Sequence, residues 1–199
     1  MDLLIGTSNP GKIREFAEIL SELPLRLLSL RDVGLESLEI EEPFATYDEN
    51  AAHKALAYAR ESGLYALADD SGLEVDALGG RPGVYSARYG GPTDRDRNLK
   101  LLAEMENVPD EERTARFVAV VAVANPKTQT AEYGRGTCEG KIAREICDGT
   151  GGFGYDAVFI PAGYDTCFSN LPSATKHRLS HRGNATRNLI PVLRQMVNT

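Results

Sequence analysis

A chain of 199 residues, 42% of them hydrophobic, is long enough to bury one substantial core and short enough to be a single domain, residues 1–199, built of two lobes with no separable linker. A net charge of −7 argues against a general nucleic-acid-binding surface but leaves room for one nucleotide in a locally basic cleft. The longest apolar run, eight residues from Phe117 to Ala124, suits a buried strand rather than a membrane span, and no basic segment precedes an apolar one at the N-terminus.

Three cysteines, Cys138, Cys147 and Cys167, form no metal spacing, and their odd number fits packed thiols in a reducing cytoplasm.

In chain order, Asp2 to Gly6 reads as a short buried strand. Ile13, Phe16, Ile19 and Leu20 then recur at helical spacing. Between them lies Thr7-Ser8-Asn9-Pro10-Gly11-Lys12, a strand-to-helix turn with hydroxyls, an amide, a glycine and a cation. Helix N-termini attract anions, so the turn is a candidate phosphate site, although Ser8 or Asn9, with Pro10 at the first helical position, also reads as a plain N-cap. It is not a P-loop, because Lys12 is followed by Ile13 and the glycine spacing is wrong. Leu25 to Leu30 reads as a second strand, and 35–42 as an acidic extended stretch ending at Pro43. Glu49 to Arg60 is an Ala-rich helix carrying Lys54. Tyr65 to Ala68 is a buried strand that ends at Asp69-Asp70-Ser71-Gly72. Asp96 to Met105 reads as a helix, Arg116 to Ala124 and Thr130 to Gly136 as strands around a turn at Asn125-Pro126, Val158 to Ile160 as a short strand, and Asn184 to Met196 as a helix with an irregularity near Pro191. Strands alternating with helices, plus a central antiparallel pair, predict a mixed α/β fold.

Chemistry concentrates where these elements end. Asp69 and Asp70 follow an apolar strand, where two buried charges would need partners or a ligand. The same tetrapeptide is also good turn chemistry. A carboxylate pair facing a phosphate calls for Mg2+, which takes oxygen ligands. Glu41 and Glu42 read as a solvated acidic stretch from which one residue completes a metal shell. Lys54 reads as a snorkelling lysine. Gly151 to Asp156 offers a backbone stripped of side chains, on which a flat ring can slide against Phe153 while Asp156 accepts a ring N–H. Lys176 and Ser180-His181-Arg182-Gly183 supply donors before the last helix.

Taken together, these segments resemble the inosine triphosphate pyrophosphatase family, the Ham1-like non-canonical purine nucleoside triphosphate pyrophosphatases. The matching pieces are Thr7 to Lys12, Glu49-Asn50-Ala51 with Lys54, Ala68 to Leu73, Gly79 to Tyr89, Gly151 to Asp156, and Lys176 with Ser180 to Gly183, in the family's order along nearly the whole chain. The resemblance implies an elongated mixed sheet flanked by helices, two lobes around a central nucleotide cleft, a homodimer and Mg2+ dependence. It implies hydrolysis of ITP, dITP, XTP and dXTP to the monophosphate and pyrophosphate. By the same resemblance Thr7, Ser8, Asn9, Pro10, Gly11, Lys12, Lys54 and Ser71 handle phosphate or sugar. Asp70 is the proton acceptor and a metal ligand, and Glu41 is the second ligand. Phe153, Gly154, Tyr155, Asp156, Lys176, His181 and Arg182 surround the base. Ala157 stands where the family often carries proline, and Phe168 to Leu171 depart from its usual Ala-Glu-Leu. The competing readings are a Maf-like pyrimidine nucleotide pyrophosphatase, whose first turn usually carries Ser-Pro-Arg, and a nucleotide sensor that binds without turnover. A cytoplasmic enzyme with no nucleic-acid or membrane partner is the expectation.

Overall fold

The structure, a computed structural model, describes residues 1–197. Six strands form one mixed sheet: β1 (Asp2–Ile5), β2 (Arg26–Ser29), β3 (Tyr65–Val75), β4 (Thr114–Ala124), β5 (Ala131–Ile142) and β6 (Phe159–Pro161), in the order β2-β1-β3-β4-β5-β6. β1 is parallel to both β2 and β3, with Leu4 opposite Leu28 and Ala66, whereas β5 and β6 are antiparallel. Five α-helices accompany them: α1 (Pro10–Ile19), α2 (Tyr47–Ser62), α3 (Asp94–Glu104), α4 (Ser173–Leu179) and α5 (His181–Val197). Among the described residues no helix is long and apolar enough to cross a membrane.

Local chemistry fixes the helix ends. Asn9 caps α1, its side-chain oxygen accepting the amides of Gly11 and Lys12, and Pro10 supplies the helical φ at the first position. Thr46 caps α2, which stops at left-handed Gly63. Thr93 and Asp96 form a reciprocal capping box at the start of α3.

The chain divides into two compact units, one made of residues 1–70, 119–136 and those from 182 on, the other of 71–118 and 137–181. The first unit's core gathers Leu3, Ile5 and Leu67 with Phe16 and Leu20 of α1, Val121 and Val123 of β4, and Ala185, Leu189 and Leu193 of α5. Each large aliphatic or aromatic side chain among them contributes about 1.5–3 kcal/mol by leaving water. α5 approaches β5 closely at Gly134, where an added Cβ would lie 2.1 Å from the Ala185 carbonyl oxygen. The second unit's core is separate: Leu73, Val75, Leu101, Met105, Phe117, Ile142, Tyr155, Phe159 and Phe168, with the Phe117 and Phe159 rings 4.6 Å apart.

Three expectations change. β3 does not end at Asp69-Asp70 but runs through them to Val75, because both carboxylates find partners inside the fold. α5 starts at His181 rather than Asn184, so the Ser180 to Gly183 segment enters the helix rather than preceding it. Cys147 and Cys167 are not packed thiols: they are joined as a disulfide with Cα atoms 6.3 Å apart, a pairing that their 20-residue separation did not announce. Cys138 remains a buried free thiol, pushed up to about 12 by burial with smaller help from Glu139 and Asp156.

Candidate active site

Because side chains alternate along a strand, consecutive residues of β3 enter different surroundings. Asp69 is 2% exposed. One oxygen accepts from Lys12 Nζ at 3.0 Å and the other from Arg182 Nε at 2.9 Å. Arg182 Nη1 also donates to Glu15 Oε2 at 2.7 Å, so the guanidinium at the start of α5 grips carboxylates from β3 and α1. Burial alone would raise the Asp69 carboxyl, but Lys12, Arg182 and Lys54 overcome it and hold the group well below the usual carboxylate range. Arg182 is correspondingly held above its usual range, burial being outweighed by Asp69 and Glu15. Lys12 is shifted down by burial, opposed by Asp69 and assisted by the charges of Arg182 and Lys54.

Asp70 is 5% exposed and accepts from Asn50 Nδ2 at 2.9 Å. Asn50 is itself fixed between the backbone N–H and carbonyl of Phe44. Burial raises the Asp70 carboxyl, Lys54 opposes that, and Glu42 and Asp69 add to it, leaving a net upward shift. Lys54, nearly buried in α2, forms an ion pair with Glu42. The first unit therefore presents Lys12 and Lys54 together with Asp69, Asp70 and Glu42, and the two aspartates are biased in opposite directions. Such opposed pairs mark acid–base chemistry.

The second unit holds the aromatic group. Asp156 accepts the Phe153 amide at 2.7 Å and pairs with Lys176 of α4, whose ammonium also lies 4.6 Å from the Phe153 ring centroid. Gly152 has φ +79°, and a Cβ there would sit 2.2 Å from Asp156 Oδ2, so this turn closes only around glycine. Tyr155 is buried and donates to the Ser86 carbonyl at 2.9 Å. A hollow of about 200 Å³ is lined by Asn98, Gly152, Phe153, Gly154 and Asp156 among others. That is below the roughly 300 Å³ at which whole small-molecule pockets begin, and it suits one flat ring system.

The residues singled out in the sequence fall into these two groups. Thr7, Asn9, Pro10, Gly11 and Lys12 form the β1–α1 turn as expected, with Thr7 Oγ1 accepting the Asn9 amide and Ser8 exposed. The Gly11 and Lys12 amides are occupied by Asn9, so the attraction for anions here rests on the lysine. Lys54 and Asp70 belong to the same group, and Ser71 is the next residue of β3. Lys176 joins Phe153 and Asp156. His181 packs in the second unit with its ring stacked on Phe117, centroids 4.6 Å apart. Arg182 sits with Asp69 and Glu15, a setting that base recognition did not anticipate. Glu41 is exposed, and Glu42, the neighbouring residue of the extended stretch, is the one that reaches Lys54 and acts on Asp70. Glu15 carried no distinct signal in sequence, and Asn50 stood out only as part of the Glu49-Asn50-Ala51 segment.

A divalent cation fits the donor chemistry of Asp70 and Glu42. Among the described residues no three His, Cys, Asp or Glu side chains gather into a self-sufficient metal cage. Magnesium does not need one, since it is commonly held by one or two carboxylates together with substrate phosphates and water.

The Ham1 family model matches residues 3–192. The dITP/XTP pyrophosphatase of Desulforamulus reducens is 45% identical over 200 residues, covering 98% of this chain and 97% of that protein. The dITP/XTP pyrophosphatase of Thermus thermophilus is 49% identical, covering 96% of this chain and 90% of that protein. A HAM1 protein from Coxiella burnetii superposes with a TM-score of 0.87 at 36% identity, covering 98% of this chain and 99% of the other. Matched along nearly its whole length in both sequence and fold, the chain belongs to the Ham1 family.

Proposed function

We propose that this protein is a nucleoside triphosphate pyrophosphohydrolase that clears non-canonical purine nucleotides, converting dITP, ITP, XTP and dXTP to the monophosphate and pyrophosphate. The observation that carries the reading is the β3 carboxylate pair. Asp69 is held by ion pairs with Lys12 and Arg182, while its neighbour Asp70, buried and hydrogen-bonded by Asn50, is shifted up by burial and is left to act as the general base.

In this reading Asp70 takes the proton of a water as that water's oxygen bonds to the α-phosphorus. The bond from the α-phosphorus to its bridging oxygen breaks, and pyrophosphate leaves. Lys12 and Lys54 neutralise phosphate charge that would repel the nucleophile, with Lys54 exchanging its Glu42 partner for phosphate. Thr7 to Gly11 and Ser71 line the phosphate and sugar end. Asp70 and Glu42 would hold Mg2+, which when bound would supply further charge neutralisation at the phosphates. Phe153 stacks on the base, and Gly154, Tyr155, Asp156, Lys176 and His181 shape and hydrogen-bond its surroundings. Arg182 serves by holding Asp69 and Glu15 in place. A buried donor set matched to a 6-oxo purine would reject adenine, because an unpaired buried group costs about 1–3 kcal/mol. We propose a homodimer working in the cytoplasm, with oligomeric state read by light scattering.

The test is pyrophosphate release from dITP, XTP, ITP, GTP, ATP, dTTP and UTP with Mg2+. Preference for dITP, ITP and XTP over ATP by at least ~10²-fold in kcat/KM is expected. Preference for dTTP or UTP would give the protein to a pyrimidine-directed class, and binding without turnover would make it a sensor.

A further inference from the structure

α3 hydrogen-bonds both polar groups of the Gly154 backbone in the aromatic loop. Asp94 Oδ2 accepts the Gly154 N–H at 2.7 Å. Asn98 Nδ2, one helical turn later, donates to the Gly154 carbonyl at 3.1 Å. Asp94 is steadied in turn by Arg97, whose guanidinium pairs with its other oxygen and donates to the Gly91 carbonyl at 3.0 Å. The gripped residue follows Phe153 directly, and the Phe153 amide is tied to Asp156. The loop is thus fixed on one side by Asp156 and on the other by α3.

Asn98 is retained at a cost. It is 3% exposed, and its Oδ1 is buried without a hydrogen-bond partner among the described residues. An apolar residue of the same size would avoid that penalty. The amide is useful through its donor, whose orientation is set by the Gly154 carbonyl.

We propose that Asp94 and Asn98 are positioning residues for base recognition: together they clamp the Gly154 backbone so that the Phe153 ring stands ready to stack before substrate arrives. The inference rests on the assignment of Phe153 as the base platform. Preorganisation of this kind lowers the ordering cost of binding and leaves the reacting groups untouched.

Four variants test it: Asn98→Leu, Asn98→Asp, Asp94→Ala and Asp94→Asn. Asn98→Leu and Asp94→Ala are expected to raise KM for dITP by about fivefold to tenfold with kcat within about twofold, the size expected for one lost hydrogen bond. Asn98→Asp, which sets an acceptor against the Gly154 carbonyl, should behave like Asn98→Leu. Asp94→Asn keeps an acceptor for the Gly154 N–H and should restore KM to near the wild-type value. Gly154 amide hydrogen exchange in the protein without nucleotide should accelerate in Asn98→Leu and Asp94→Ala, while the Tm of Asn98→Leu does not fall. Unchanged KM in both of those variants, or kcat falling in step with Tm, would overturn the clamp as a positioning device. Wild-type protein that fails to cleave dITP refutes the functional reading instead. The exchange measurement then still decides the clamp, since unaltered Gly154 exchange in both variants overturns it without any substrate.

Discussion

Asp69 and Asp70 are adjacent in β3, yet one is tied to Lys12 and Arg182 and the other to the neutral amide of Asn50. The first is held ionised far into acid, and the second is shifted up, with burial as the leading cause. The alternation of a β-strand places two identical side chains in different electrostatic environments.

If Asp70 is the proposed base, the consequence is a trade of stability for activity. A carboxyl whose folded value is raised stabilises the fold below its unfolded value of about 3.9, and that contribution is lost as pH rises through the folded value. Wherever Asp70 is ionised, it is therefore held against its buried surroundings. Asp70→Asn, which keeps an acceptor for Asn50, is expected to lower kcat by ~10²-fold or more while Tm at pH 7 rises or holds. The acid limb of the wild-type rate profile should lie above about 3.9. Thermal melts and pH–rate profiles on both proteins check it, and near-normal turnover by the variant would remove Asp70 from its role.

Asp69 has the opposite sign. Its folded value is depressed, so its contribution is present above the unfolded value of about 3.9 and is lost as pH falls from there toward the folded value. Arg182→Ala leaves Asp69 and Glu15 buried beside each other's charge and should cost about 3–5 kcal/mol, the usual penalty for removing one member of a buried ionic group. Urea unfolding at pH 7 measures it. A loss below about 1 kcal/mol would show that the network is open to water, as exposed ion pairs are.

How much of this was legible in sequence depends on the reach of each interaction. The β1–α1 turn was readable because everything that shapes it is local: an apolar run, a capping candidate at Ser8 or Asn9, a Pro at the first helical position; in the structure the cap is Asn9. The Asp69 network was not. Its partners lie 57 and 113 residues away, and Glu15 meets Arg182 across 167 residues. Glu15 therefore carries no signal in the sequence, and Arg182 reads only as one of the donors before the last helix. α4 escaped notice because seven residues hold barely two turns and bury chiefly Lys176, leaving no apolar stripe to detect. The Phe153 to Asp156 platform was visible as composition, but its lock by Lys176 and its support from α3 depended on the fold.

The choice between adjacent glutamates gives a third prediction. Glu42 pairs with Lys54 and raises Asp70, whereas Glu41 is exposed. Glu42→Gln should raise the Mg2+ concentration for half-maximal activity by about tenfold, as loss of one of two charged oxygen ligands implies, and Glu41→Gln should shift it by less than about twofold. Titrating Mg2+ into metal-stripped protein distinguishes the two, and the reverse pattern would return the second-ligand role to Glu41.

Gly152 supplies the last prediction, because there geometry and chemistry converge on one missing atom. Its φ of +79° strains any residue with a Cβ, and an added methyl carbon would lie 2.2 Å from the Asp156 oxygen that receives both the Phe153 amide and Lys176. Gly152→Ala must therefore push Asp156 away from the loop or open the turn, and either movement releases Phe153. The backbone strain alone is of order 1–2 kcal/mol. Lys12, Asp69 and Asp70 all lie in the first unit and should keep their arrangement. The expected result is a KM for dITP raised by ~10-fold or more, with inhibition by pyrophosphate, which has no base, changed by less than about twofold. Phe153→Ala should reproduce the loss without the strain, weakening dITP and ATP alike, because stacking does not distinguish purines. Equal loss of dITP and pyrophosphate binding in Gly152→Ala would show that the loop serves the phosphates as well, and would contradict the division of labour between the two units.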